Sequence, residues 1–137
     1  MTRVVLDTNV VVSAFLKPAG LEASVLLLAL KGPLCLCVSE PVLTEYETVL
    51  YRPELRLDPQ VVQKGLSDIR QVSLSTRPEH TLSVCPDESD NRFLECAGTA
   101  RAEFLVTGNK RHFPKRWKTA EIVNARELIE KITPGRE

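Results

Sequence analysis

The chain has 137 residues, 43% of them hydrophobic, with 18 basic side chains balanced by 18 acidic ones. That is one domain's length, enough to bury a core without staples and too apolar for a disordered chain. A formal net charge of zero excludes a global field that gathers nucleic acid, so any such contact must come from a local patch.

Met1-Thr2-Arg3 runs straight into an apolar segment, so no signal peptide is expected. Residues 3–6 read as a strand that stops at Asp7, with Thr8 and Asn9 following at once. A short apolar run ending on a carboxylate reads as a buried parallel strand with an acid at its C-terminal edge, where open α/β sheets place ligands. The same Asp7 would also serve as the cap of the helix that follows. That helix spans about residues 9–16 and ends at Lys17-Pro18-Ala19-Gly20. Leu21 to Lys31 reads as a second helix, closed by Gly32. It is nearly apolar all round at Val25-Leu26-Leu27-Leu28, which suits a core helix, half of a dimer interface, or a mixture. The most apolar stretch, Ala23 to Leu30, is too short to span a bilayer, so no membrane partner is expected.

Leu34 to Val38 is a strand. Ser39, with Pro41 in the first turn, opens a helix that Arg52-Pro53 breaks after about Leu50. Asp58-Pro59 starts another, to about Arg70. Residues 72–84 are mixed, with strand propensity at Val72-Ser73-Leu74 and at Thr81 to Val84. Asp87 to Asp90 leads into a helix to about Ala102; Phe104-Leu105-Val106 is a strand; Glu121-Ile122-Val123 is another; Asn124 caps a last helix to about Ile132. This alternation predicts an α/β fold with a parallel sheet and helices on both faces. The four cysteines, Cys35, Cys37, Cys85 and Cys96, form no C-x-x-C pair and have no zinc-like spacing to the histidines. They read as reduced packing residues of a cytoplasmic protein.

The candidate chemistry is acidic. Asp90 falls inside the apolar stripe of Phe93, Leu94, Ala97 and Ala100, whereas Glu95 falls away from its centre. A carboxylate on a buried face needs a partner, either as a helix cap or in a site under the helix N-terminus. Asp87 could reach the same place from the loop. Glu45 and Glu47 flank opposite edges of the stripe Val42, Leu43, Tyr46, Val49 and Leu50, and the helical wheel does not choose between them. Val106-Thr107-Gly108-Asn109 repeats the logic of the first strand, with an amide at its edge, or is only a turn. Lys110, Arg111, Lys115, Arg116 and Lys118 follow within nine residues, interleaved with His112, Phe113 and Trp117 and without an acid. Basic and aromatic side chains in one stretch suit a single-stranded nucleic-acid backbone; a solvated loop is the plain alternative.

Leu6-Asp7-Thr8-Asn9, Ser39-Glu40-Pro41-Val42-Leu43-Thr44-Glu45-Tyr46, Asp87 through Glu95, and Leu105-Val106-Thr107-Gly108-Asn109-Lys110-Arg111-His112-Phe113 together resemble the PIN-domain family, closest to the VapC-type toxins of prokaryotic toxin–antitoxin pairs. The likeness covers essentially the whole chain as one domain. It implies a three-layer α/β/α sandwich around a parallel sheet of about five strands. It implies Mg²⁺- or Mn²⁺-dependent ribonuclease activity on RNA, a frequent homodimer, and a cognate antitoxin in the active-site groove. By motif position Asp7, Glu45 and Asp90 match the family's first three acids, which selects Glu45 over Glu47. Asn109 stands where the family often has a fourth acid, which puts a second ion in doubt. Asp87 joins these four as a possible metal ligand.

Three converging carboxylates repel one another and raise each other's pKa unless a cation binds. Mg²⁺ uses one or two carboxylates plus water and keeps a face open to phosphate. A metal-activated water is the economical nucleophile, with Thr8, Asn9 and Thr107 orienting the acids. One alternative is a non-catalytic RNA- or antitoxin-binding module with a decayed centre. A phosphotransferase using Asp7 as nucleophile would want a second acid two residues on, where Asn9 stands.

Overall fold

The structure, a computed structural model, describes residues 1–134. Val4, Val5 and Leu6 are wholly buried because β1 (Thr2–Leu6) lies inside the sheet, flanked on both edges by strands and on both faces by helices. β2 (Leu34–Val38) and β4 (Phe104–Val106) pair with it in parallel, β3 (Leu74–Ser75) extends the sheet beyond β2, and β6 (Ala120–Val123) extends it beyond β4. The order is β3-β2-β1-β4-β6-β5, so the expected five parallel strands are present. The sixth, β5 (Arg116–Trp117), is an antiparallel edge strand against β6. It forms inside the basic stretch, which alternation alone gave no reason to read as sheet.

The helices are α1 (Thr8–Leu16), α2 (Leu21–Lys31), α3 (Glu40–Leu50), α4 (Pro59–Val72), α5 (Glu88–Ala100) and α6 (Ala125–Ile132). Together they make the three-layer α/β/α sandwich. Side-chain caps start five of them: Asp7 for α1, Ser39 for α3, Asp58 for α4, Asp87 for α5, and Asn124 in a reciprocal capping box with Glu127 for α6. Gly32 closes α2 at a φ of 90°, which glycine adopts without strain. In α2, Val25, Leu26 and Ala29 are core while Leu27 stays 53% exposed. No single helix among the described residues is long and apolar enough to cross a membrane.

The Thr81–Val84 segment is not a strand. Its backbone is held instead by α5 side chains: Glu95 accepts from the Leu82 N–H at 2.7 Å, and Asn91 Oδ1 accepts from Val84 and Cys85 at 3.0 and 2.7 Å. Glu95, expected off the buried stripe, is therefore buried, and its charge is met by Arg92 at 2.8 Å. All four cysteines are free. Burial pushes the Cys37 thiol up to about 12 and the Cys96 thiol to about 11, as inert packing residues require.

Candidate active site at the C-terminal edge of the sheet

Leu6 of β1 and Val106 of β4 are register partners, so Asp7 and Thr107 leave the sheet side by side. The Asp7 N–H donates to Val106 O at 2.8 Å, and the Thr107 hydroxyl donates to Asp7 Oδ2 at 2.7 Å. Asp7 Oδ1 accepts from the Thr8 N–H at 2.7 Å. Asp7 is thus both the N-cap of α1 and an acid on the sheet edge; the two readings describe one geometry.

Tyr46 positions the second acid. Its ring is fully buried and its hydroxyl donates to the Leu6 carbonyl, tying the middle of α3 to the end of β1. Glu45, the preceding residue, is half-buried and acts electrostatically on both Asp7 and Asp90. Glu47 is exposed on another side, beside Leu43, Tyr51, Gln63 and Arg70. Nothing in the helical pattern marked Tyr46 as more than a core residue.

Asp90 sits in the first turn of α5, three residues after its cap, and is 8% exposed. Its Oδ2 is buried and has no hydrogen-bond partner among the described residues. Burial and the charges of Asp7 and Asp87 push its carboxyl up to about 6. Asp7 is raised as well, chiefly by burial, and its hydrogen bonds to Thr107 and Thr8 work against that rise. Asp87 stays exposed and spends its carboxylate on Ser89, accepting from its N–H and hydroxyl at 3.0 and 2.8 Å. It reaches Asp90 through charge rather than contact.

The orienting residues divide. Thr107 holds Asp7 directly and accepts the Asn109 N–H at 3.0 Å. Asn9 instead accepts the Gly108 N–H at 3.1 Å and so fixes the loop after β4. The Thr8 hydroxyl is buried without a partner among the described residues. Asn109 is exposed and, with Asn9, Ser13, Glu22 and Asn124, borders a cleft of about 210 Å³ on the α1 and α6 side.

His112, a residue that sequence spacing did not single out as part of the site, lies with its Nδ1 3.9 Å from Asp90 Oδ2. A short 3-10 turn, Lys110–His112, brings it back to the edge, with the His112 N–H donating to Asn109 O at 3.0 Å. The neighbouring basic residues are not equivalent. Lys110 is bound to Glu127 of α6 at 2.8 Å, Arg116 lies 4.0 Å from Glu121, and the Lys118 ammonium sits 5.5 Å from the Trp117 ring centroid. Arg111 and Lys115 are exposed.

Among the described residues no three His, Cys, Asp or Glu side chains are gathered tightly enough to form a ready-made ion cage. The donor set nevertheless suits a divalent cation: Asp7 and Asp90 are acids whose pKa values are raised chiefly by burial, with Asp7 adding to the rise at Asp90, and one Asp90 oxygen has no other partner among the described residues. A cavity of about 540 Å³ is lined by Glu40, Thr76, Arg77, His80, Arg92 and Glu95 among others and by none of the edge acids. An open edge admits a polymer backbone where a closed pocket selects a small molecule.

Comparison with known proteins agrees with this architecture. The chain is 32% identical over 111 residues to an uncharacterized protein of Methanocaldococcus jannaschii, covering 79% of this chain and 71% of that one. Its fold is similar to a chain in the crystal structure of VapBC2 from Rickettsia felis bound to a DNA fragment from their promoter. That match has a TM-score of 0.61 and 18% identity over 90% of this chain and 98% of the other. Residues 3–111, which carry Asp7, Glu45, Asp90 and Asn109, match the PIN domain, and the chain belongs to the PIN-domain family.

Proposed function

We propose that the chain is a divalent-metal-dependent endoribonuclease, the toxin of a toxin–antitoxin pair. The observation that carries this reading is the Asp7–Asp90 pair: burial raises the pKa of both carboxylates at the sheet edge, the charge of Asp7 raises Asp90 further, and one buried Asp90 oxygen lacks a partner among the described residues. A bound Mg²⁺ or Mn²⁺ would supply a polarised water and charge neutralisation at the scissile phosphate. Asp7, Glu45 and Asp90 would hold the ion, and the Thr107 and Thr8 hydrogen bonds fix the Asp7 carboxylate so that it loses no rotamer freedom on binding. Arg111 and Lys115, both exposed, offer charge to an RNA backbone. Arg116 and Lys118, expected to join them, lie toward the other end of the sheet, Arg116 opposite Glu121 at the start of β6 and Lys118 against Gly98 near the end of α5. Lys110 is committed to Glu127. A small antitoxin, a homodimer and a cytoplasmic location belong to the same reading.

The experiment is cleavage of single-stranded RNA by the purified protein across a Mn²⁺ titration, beside Asp7→Asn. Cleavage that needs the ion and is lost in the variant supports the proposal; undiminished cleavage by Asp7→Asn sinks the assignment. The amide at Asn109 favours a second reading, a non-catalytic RNA- or antitoxin-binding module. That reading predicts RNA binding with no cleavage at any ion concentration.

A further inference from the structure

His112 stands where a fourth donor to the acidic site would stand. Its Nδ1 lies 3.9 Å from Asp90 Oδ2, too far for a hydrogen bond. Adjacent donors each about 2.1 Å from a shared ion lie roughly 3.0–3.4 Å apart, so a turn of the ring by about half an ångström toward the acid would bring the pair to that spacing. The facing oxygen is buried and has no other partner among the described residues. The backbone beneath the ring is fixed, because the next residue, Phe113, is 8% exposed and packed in the core. The ring itself is about half exposed, with a side-chain accessibility of 52%, so it can turn toward the acid. Its charge is felt by Asp7 as well as Asp90. Asn109, by contrast, is exposed and borders the cleft with Asn9 and Asn124 on the α1 and α6 side.

We infer that His112, rather than Asn109, completes the carboxylate site with a nitrogen donor, so that the site takes a first-row transition ion such as Co²⁺, Fe²⁺ or Zn²⁺ in preference to Mg²⁺. The inference rests on the metal-dependent reading given above. Imidazole suits these ions, whereas Mg²⁺ favours oxygen alone. A histidine that served only as a counter-cation for Asp90 would have the opposite effect on ion binding. Its removal would take away a positive charge and tighten cation binding, whereas removal of a ligand weakens it.

The test is titration of the whole protein with Co²⁺, followed by visible absorption and calorimetry, and with Mg²⁺ by calorimetry. It compares the parent, His112→Ala, His112→Asp and Asn109→Ala, each checked for folding by circular dichroism. The parent should bind Co²⁺ more tightly than Mg²⁺. His112→Ala should weaken Co²⁺ at least tenfold or so, the scale seen even for groups one step removed from an ion, and should change the Co²⁺ absorption band. His112→Asp should narrow the preference for Co²⁺ over Mg²⁺, and Asn109→Ala should weaken Co²⁺ less than His112→Ala does. A parent that binds neither ion overturns the metal-dependent reading itself. A parent that binds, with a His112→Ala variant of equal or tighter affinity and the same ion preference, overturns only the role of His112.

Discussion

Two sides of α5 bury polar groups to different ends. On one side Asn91 is fully buried and makes three hydrogen bonds, two from the Val84 and Cys85 N–H groups and one to Cys85 O, while Glu95 meets Arg92 and the Leu82 N–H. On the other, Asp90 is as well buried as Glu95 but leaves one oxygen without a partner and faces like charges. Adjacent residues on one helix thus show the difference between polarity that builds a structure and polarity that awaits a ligand. A matched buried group stabilises a loop; an unmatched one costs stability that a bound cation would recover.

Substitutions on the two sides should separate activity from stability. Asp90→Asn should lower ion-dependent RNA cleavage by about two to three orders of magnitude, the scale of losing one group that stabilises developing charge, while the metal-free protein melts no lower than the parent. Initial rates and thermal melts made side by side would check this; a large fall in melting temperature with cleavage retained would erase the contrast. Asn91→Ala should do the reverse. The buried Cys85 N–H loses its acceptor at about 1–3 kcal/mol, and the Val84 N–H, nearer to solvent, loses less, so chemical denaturation should show a loss of roughly 1–4 kcal/mol. Cleavage should fall only in step with the folded fraction.

The same contrast has a pH signature. The Asp90 carboxyl is raised in the folded protein, from the ordinary 3.8 to about 6, so the native state binds the proton more tightly than the unfolded chain. This group's contribution to stability is therefore largest below the unfolded value and is lost as pH rises toward about 6. The upward shift of Asp7 acts in the same direction. Metal-free unfolding measured from pH 4 to 7 should show stability from these groups declining with pH, and Asp90→Asn should flatten the decline. Saturating Mn²⁺ should oppose it, because the ion binds the ionised acids.

The smallest effect concerns the basic stretch. Arg111→Ala should reduce the salt dependence of RNA binding by about one unit of slope. Arg116→Ala should reduce it less, because Glu121 lies 4.0 Å away. Lys110→Ala should act mainly on α6, where Lys110 supports the capping-box residue Glu127. Equal slopes for the parent and all three variants would leave this stretch as an ordinary solvated loop.

Local chemistry was enough to read the strand at 3–6, the caps at Ser39, Asp58 and Asn124, and the α/β alternation, because apolar period and capping depend on neighbours along the chain. The placement of Asp7 on a sheet edge was readable for the same reason. What local pattern does not carry is pairing between distant segments. The Leu6–Val106 register sets Asp7 beside Thr107, and the Tyr46 bond to Leu6 fixes α3 at that edge, across separations of 100 and 40 residues. The helical wheel left Glu45 and Glu47 tied because it knows a helix's apolar face but not which neighbour meets each edge. Glu95 looked peripheral because its partner Leu82 N–H lies in a loop that no periodicity describes. His112 was hidden in a basic run, and only the 3-10 turn that folds it back shows that its ring faces Asp90 rather than solvent alone. Residue type and spacing determined what chemistry this chain carries. Tertiary packing decided which acids are buried together and which of them are left without a partner, since burial and charge coupling arise between segments that meet only in the folded chain.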